Sequence, residues 1–368
     1  MGAPFVSVIC EYNPFHKGHL YQLNALKENF GKVVCILSGN LVQRGSIAVA
    51  DKYIRAEAAV NAGADLVVEL PIPYCCASAK DFAEAGVYIC EALGSDYLAF
   101  GAEDAEDLKT LYGFIGSEEF SDKLRDFREN HKDISYPASV GEIIKSELGE
   151  AFAEKIKKPN NVLSLEYLKA LKTAKPVILK RNPSFKSSSE IRALEKDEIF
   201  ASLPKESAEI FAKYDSFPRE ESALDNFYIG SLIAGNFEKD YYSVTADLKN
   251  KILKAAQSEK TVKSIVSSCT DKIYTSARVR RAINSLVFGI TPDMVMAKPN
   301  YINVLAIGEG GKEILKNAKK SGNLKIVTKI SDAKRDEKVF EKYSFSARIE
   351  KIISLADGAK IPRMADAQ

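Results

Sequence analysis

The chain has 368 residues, 46% of them apolar and 28% charged, with a formal net charge of +2, which is the make-up of a globular protein long enough for two domains. No apolar stretch approaches the roughly 20 residues that span a bilayer. Met1-Gly2-Ala3-Pro4 runs into the first apolar segment with no charged and apolar leader, so a cytoplasmic location is expected.

Val6, Val8 and Ile9 read as a short buried strand, and a helical period begins at His19-Leu20-Tyr21-Gln22. Between them lies Cys10-Glu11-Tyr12-Asn13-Pro14-Phe15-His16-Lys17-Gly18-His19, which holds two of the three histidines. Imidazoles where a strand hands over to a helix sit beside free backbone N–H groups and a positive dipole end, where they can meet a phosphate. His16 and His19 are therefore candidate nucleotide ligands, and Gly18 would let backbone approach the phosphates.

Lys32-Val33-Val34-Cys35-Ile36-Leu37 predicts a second strand, residues 51–62 a helix stopped by Gly63, and residues 65–70 a third strand closed by Pro71 and Pro73. A helix over about 78–93 leads to a fourth strand at Tyr97-Leu98-Ala99-Phe100. Short continuous apolar strands separated by helices predict an α/β fold, a parallel sheet covered on both faces. The six cysteines show no C-x-x-C spacing and mostly lie in apolar segments, so they read as reduced, buried thiols rather than zinc ligands. Adjacent Cys75 and Cys76 take the same reading, with a redox-active pair as the alternative.

Gln43, Arg44, Asp51, Lys52 and Arg55 form a polar cluster open to two readings. One is a capped helix with an Asp51–Arg55 ion pair. The other places Arg44 or Lys52 on a reacting carboxylate or on the acceptor substrate.

Residues 104–158 are polar and mostly helical, an expected insertion or lid. A helix at about 161–172 and a strand at Val177-Ile178-Leu179 follow, then Lys180-Arg181 and Ser187-Ser188-Ser189-Glu190-Ile191-Arg192. Serine hydroxyls at a helix start cap it and can donate to phosphate oxygens, and Arg192 could bring a guanidinium to the β- and γ-phosphates. Beyond residue 200 the pattern is mainly helical, with two short strands at about 301–307 and 325–328 expected to form a small second sheet. A domain boundary near 200 divides the chain into a catalytic part, 1–200, and a mainly helical basic part, 201–368.

Charge divides with it. Residues 1–150 carry 13 basic and 23 acidic side chains, residues 151–368 carry 39 and 27, and residues 251–330 alone carry 15 and 5. A basic half suggests a polyanionic partner, with a solvated lysine-rich face as the alternative. Lys272, Arg278, Arg280 and Arg281, beside Tyr274 and Thr275, are the candidate RNA contacts, the competing reading being a solvated helix face.

The His-x-Gly-His with a downstream serine loop resembles the nucleotidyltransferase superfamily, which includes class I aminoacyl-tRNA synthetases and pantothenate synthetase. The match is denser with the bacterial tRNA(Met) cytidine acetate ligase family. It runs through Glu11-Tyr12-Asn13-Pro14-Phe15-His16-x-Gly18-His19-Leu20, Ser38-Gly39-Asn40-x-x-Gln43-Arg44-Gly45, Asp51-Lys52-x-x-Arg55 and Gly63-Ala64-Asp65-Leu66-Val67-x-Glu69-Leu70-Pro71. It continues at Phe100-Gly101-Ala102-Glu103, Asn160-Asn161-Val162-Leu163, Lys180-Arg181 and Lys272-x-Tyr274-Thr275-x-x-Arg278-Val279-x-Arg281. The serine loop departs mildly from the family's Ser-Ala-Thr-x-Ile-Arg, and the last 80 or so residues match thinly.

The resemblance implies a Rossmann-like nucleotidyltransferase sheet and a ligase that uses ATP, with Mg²⁺, to make acetyl-adenylate. The acetyl group would pass to N4 of the wobble cytidine of elongator tRNA(Met), so the implied partners are tRNA and acetate, with no membrane. His16, His19, Arg192 and Lys52 would be catalytic. Ile9, Cys10, Glu11, Tyr12, Asn13, Pro14, Phe15, Gly18, Gly101, Asn161, Arg181, Ser188 and Ser189 would join the histidines around ATP; no metal ligand announces itself. The alternatives are a small-molecule adenylyltransferase or carboxylate–amine ligase of the same superfamily, or a non-catalytic RNA-binding protein.

Overall fold

A computed structural model describes residues 4–103, 107–132, 134–214 and 217–357. The first half alternates β1 (Val6–Cys10), α1 (Lys17–Phe30), β2 (Val33–Ser38), α2 (Lys52–Asn61), β3 (Leu66–Leu70), α3 (Ala79–Ala92) and β4 (Tyr97–Ala102). Helices α4 (Leu108–Ile115), α5 (Glu118–Asn130), α6 (Tyr136–Leu148) and α7 (Glu150–Lys157) then form the expected insertion, around their own apolar cluster of Leu111, Phe120, Ile144 and Ile156. Next come α8 (Pro159–Ala170), β5 (Lys175–Lys180), α9 (Ser188–Arg192), α10 (Lys196–Ser202) and α11 (Lys205–Phe211). The last part carries α12 (Asp225–Ala234), α13 (Ala246–Ala256), α14 (Val262–Cys269), α15 (Ser276–Phe288) and α16 (Pro292–Met296). It ends with β6 (Tyr301–Ile307), α17 (Gly311–Ser321), β7 (Lys325–Val327), α18 (Ile330–Ala333) and α19 (Glu337–Ile353).

The strands form one seven-stranded sheet in the order β5-β4-β1-β2-β3-β6-β7. Strands β1 to β5 are mutually parallel, and β6 runs antiparallel to β3. Successive side chains point to opposite faces. Val34, Ile36, Leu66 and Val68 join one core with α3, whereas Val33, Cys35, Leu37 and Val67 join another with Leu23 and Leu26 of α1. That double burial is why the strands read as continuous apolar runs rather than alternating ones.

The expected small second sheet is corrected by this topology. Strands β6 and β7 extend the main sheet, because β3 would otherwise expose an edge of unpaired N–H and C=O groups. Helices α12 to α15 share a core with the first half, whereas Ala333 and Val339 of α18 and α19 pack with Tyr301 and Val327 in a cluster of their own. Leu232, Ile252, Ile265 and Ile283 share one apolar cluster with Phe82 and Val87 of α3. All six cysteines are free, and burial pushes the Cys75 thiol well up. Among the described residues no helix is long and apolar enough to cross a membrane.

Candidate functional site

The strand order reverses direction at β1, whose neighbours are β2 and β4, and open α/β sheets bind ligands in the crevice beyond the strand C-termini at such a point. Here that crevice is a cleft of about 830 Å³ between the loop after β1, the loops after β2 and β4, and the segment joining β5 to α9.

His16 is the N-cap of α1, and its ring replaces the usual Ser or Asp. Its Nδ1 accepts from the Gly18 N–H at 3.1 Å, and a Cβ on Gly18 would lie 3.0 Å from the His16 ring, so glycine lets the imidazole fold over the helix start. His19 Nδ1 accepts from the His16 N–H at 3.4 Å, and the two rings stack with centroids 3.8 Å apart. With both Nδ1 atoms accepting, the neutral rings carry their proton on Nε2, as donors. Burial, then the Arg181 and Arg192 charges, pull His16 down to about 4, and burial followed by the His16 ring takes His19 well below the usual range.

The serine segment closes on this motif from far along the chain. His16 Nε2 lies 3.1 Å from Ser188 Oγ. Ser187 caps α9 with Glu190 as a capping box. Arg192 donates to the Asn13 carbonyl at 2.7 Å and to Ser189 Oγ at 3.1 Å, which fixes its guanidinium across the cleft. Among the described residues, five cations line the cleft, Arg44, Lys180, Arg181, Lys186 and Arg192, against the carboxylates of Glu11 and Glu103. Glu103 is engaged, 3.6 Å from Arg181 and accepting from Asn160 Nδ2 at 2.8 Å. A Cβ on Gly101 would meet nothing within 4 Å, so the β4 end leaves open space in the cleft. Neutral imidazoles, serine hydroxyls and fixed cations around such a space suit a polyphosphate.

Ile9, Cys10, Glu11, Tyr12, His16, Gly18, His19, Gly101, Arg181, Ser188, Ser189 and Arg192 all line the cleft. Asn13, Pro14, Phe15 and Asn161 do not. Phe15 is buried against Tyr12, Asn13 Oδ1 accepts from the Val49 N–H, and Asn161 bonds the Glu103 N–H and the Lys155 carbonyl from beneath. They hold the lining in place.

Lys52 is corrected more sharply. It is buried in the layer behind the cleft, with Nζ 2.6 Å from Glu69 Oε1 and 3.6 Å from Glu350 Oε1 of α19. The capped-helix reading holds for its cap and not for its Asp51–Arg55 ion pair. Asp51 caps α2 through the Tyr53 N–H and accepts from Asn40 Nδ2, whereas the fully buried Arg55 donates to the carbonyls of Glu11, Gly39 and Ala50. One guanidinium thus ties the end of β1 to the end of β2.

Of the RNA candidates, Lys272 is exposed and Arg278 lies over the Tyr274 ring with its Cζ 5.0 Å from the centroid. The other two are already engaged. Arg280 pairs with Glu221, and Arg281 turns inward to the Gln43 carbonyl at 3.5 Å. Helix α15 comes this close because Gly45, at φ +83°, has no Cβ; one would sit 2.9 Å from Arg280 Cβ. Tyr21, Phe185 and Lys186 also line the cleft, at its mouth, and the sequence reading passed over them; the aromatic–cation pair inside the Arg181–Ser187 loop was the available signal.

Since the fold holds His16 neutral, the unfolded chain binds the extra proton between pH 6.5 and about 4. Stability is then full above pH 6.5 and falls as pH drops toward 4, by about 3 kcal/mol for this group. Urea unfolding of wild type and His16→Gln across pH 7.5 to 4 tests it: the variant is expected to lose less, and parallel losses would refute the assignment.

The HIGH Nucleotidyl Transferase family profile matches residues 4–367. A tRNA(Met) cytidine acetate ligase from Acetivibrio thermocellus is 34% identical, over 89% of this chain and 88% of its own. One from Caldanaerobacter subterraneus subsp. tengcongensis is 33% identical over 94% of both. The crystal structure of Thermotoga maritima TmcAL bound with alpha-thio ATP superimposes with a TM-score of 0.88 at 27% identity, covering 97% of this chain and 95% of that one. The chain therefore belongs to the HIGH nucleotidyl transferase family and, within it, to the tRNA(Met) cytidine acetate ligases.

Proposed function

We propose that the protein couples acetate to ATP, releasing pyrophosphate and forming acetyl-adenylate, and then acetylates N4 of the wobble cytidine of elongator tRNA(Met). The observation that carries this reading is the closure of the Ser188–Arg192 segment on His16, 3.1 Å away, around a cleft lined by five cations. The relatives' names supply the acetate and the tRNA, and the Thermotoga maritima structure supplies the ATP analogue.

Acetate oxygen attacks the α-phosphorus and pyrophosphate leaves, so no enzyme nucleophile is needed and catalysis reduces to positioning and charge stabilisation. The His16 and His19 Nε2–H groups would donate to phosphate oxygens as charge spreads. Arg181 and Arg192, with the Ser188 and Ser189 hydroxyls, would take up the pyrophosphate. With Lys52 tied to Glu69 and Glu350, Arg44 is the cation at the β2 end for the acetate carboxylate. Mg²⁺ enters with ATP as the nucleotide's counter-ion. Among the described residues no group of three His, Cys, Asp or Glu side chains is placed to hold a metal. Lys272 and Arg278 are the α15-side contacts for the tRNA backbone, and a cytoplasmic location follows from that substrate.

The test is nucleoside mass spectrometry after incubation with ATP, Mg²⁺, isotopically labelled acetate and total bacterial tRNA. Labelled N4-acetylcytidine is expected. Labelled acetyl-adenylate without labelled nucleoside would overturn the tRNA acceptor, and neither product would overturn both steps.

A further inference from the structure

Glu11 is the charge in the cleft that activation of acetate leaves unexplained. A carboxylate facing a polyphosphate repels it, and the other lining carboxylate among the described residues, Glu103, is offset by Arg181 and Asn160. Glu11 is held less closely: half-buried, it is in no ion pair within 4 Å among the described residues, and the Arg192 and Arg55 guanidinium groups act on it from farther off. One of its oxygens, Oε1, accepts from the Gln43 N–H at 2.8 Å. Its position is nonetheless tightly built. Its own carbonyl accepts from Arg55 Nη1 at 2.6 Å, the Gln43 side chain donates to the Ala77 carbonyl at 3.2 Å, and the Gln43 carbonyl accepts from Arg281 Nη1 of α15. The peptide on which Glu11 leans is therefore clamped by the basic helix, on the β2 side of the cleft, away from the β4 end where Gly101 leaves its space.

A fixed, unpaired carboxylate in a cation-lined cleft fits a ligand that brings hydrogen-bond donors. The acceptor in the proposed reaction brings them: the exocyclic amine of cytosine, whose N4 donors pair well with Glu or Asp. That amine is also a poor nucleophile, its lone pair delocalised into the ring, so removing a proton during attack matters.

We propose that the Glu11 carboxylate binds the N4 amine of the acceptor cytidine and is the general base for acetyl transfer, an inference that rests on the ligase reading above. As N4 attacks the acetyl carbonyl carbon of acetyl-adenylate, the C–N bond forms and the acyl carbon–oxygen bond to phosphate breaks. AMP leaves with that electron pair, and the amine proton passes to Glu11, which later releases it to solvent. Glu11 thus separates the two half-reactions: it acts on the second and has no proton to move in the first.

The experiment measures both half-reactions in Glu11→Gln and Glu11→Asp: acetate-dependent ATP–pyrophosphate exchange, and N4-acetylcytidine formed on tRNA, each across pH 6 to 9. Glutamine keeps an oxygen to accept from Gln43, so the loop stays anchored. Transfer in Glu11→Gln is expected to fall about 10²-fold or more relative to exchange, the scale of general-base catalysis. The residual transfer rises with pH as solvent base takes over, and Glu11→Asp recovers part of it. An equal fall in exchange and transfer, or a raised Mg²⁺ requirement for exchange, would overturn the assignment and place Glu11 on the nucleotide or its metal. Absence of acetate-dependent exchange in the wild type would instead overturn the ligase reading itself.

Discussion

Replacing His19 by alanine is expected to lower acetate-dependent ATP–pyrophosphate exchange about 10²- to 10³-fold, the cost of removing one preorganised donor to developing oxyanion charge. The geometry makes His19 a donor rather than a cation. Its Nδ1 accepts from the His16 N–H, and burial with the adjacent imidazole holds it well below its usual pKa, so the ring is neutral at working pH with its proton on Nε2. A neutral donor costs little to keep beside Arg181 and Arg192, whereas a third cation there would be repelled. The loss should therefore fall mainly on turnover and be independent of pH between 6 and 9. His16→Ala should behave similarly in rate and also loosen the Ser188 contact, so its KM for ATP rises as well. A His19→Ala variant that keeps exchange within about threefold of wild type would remove the imidazoles from the chemistry.

Lys52→Met should cost about 3–5 kcal/mol of stability, the scale for breaking a buried ion pair by removing one partner. Burial by itself would lower the Lys52 pKa, but the Glu350 and Glu69 carboxylates hold it well above the usual lysine range. Without the ammonium, those two carboxylates face each other in a buried site. Burial pushes Glu350 up to about 7 even with the Lys52 charge pulling it down, so in the variant it takes its proton at still higher pH and relieves the repulsion. The defect is therefore largest at alkaline pH, shrinks as pH falls toward 7 and levels off below it, measured by urea unfolding of variant and wild type side by side. Exchange activity per folded molecule should stay within about threefold of wild type. A hundredfold loss of exchange in a fully folded Lys52→Met protein would return Lys52 to the reaction.

The two residues differ in how readable they were. The His16–His19 spacing at the end of an apolar strand carries its own chemistry, since any helix beginning there turns its first N–H groups and both imidazoles toward the same crevice. The serine capping box at Ser187 and Glu190 is equally local. Lys52 shows the opposite case. Its sequence neighbours, Asp51 and Arg55, suggest a surface helix or a reactive site, and nothing nearby reports that Glu350 arrives from α19 to enclose it. Arg280 and Arg281 are a related case. Charge counting assumes solvated guanidinium groups, and the approach of α15 to Gly45 turns these two inward against Glu221 and Gln43.

The sequence by itself determined the periodic part of this protein: strands β1 to β5, their helices, the strand-to-helix histidine motif and the serine cap. Each of these depends on side-chain period and capping chemistry within a few residues of chain. Tertiary structure alone decided that β6 and β7 complete the first sheet, that Ser188 meets His16 across 172 positions of chain, and that Lys52, Arg55 and Arg281 hold the cleft together rather than line it. The physical reason is that a strand edge, a hydroxyl or a charge shows locally only that it needs a partner. Which partner it finds is fixed by the packing of segments hundreds of residues apart.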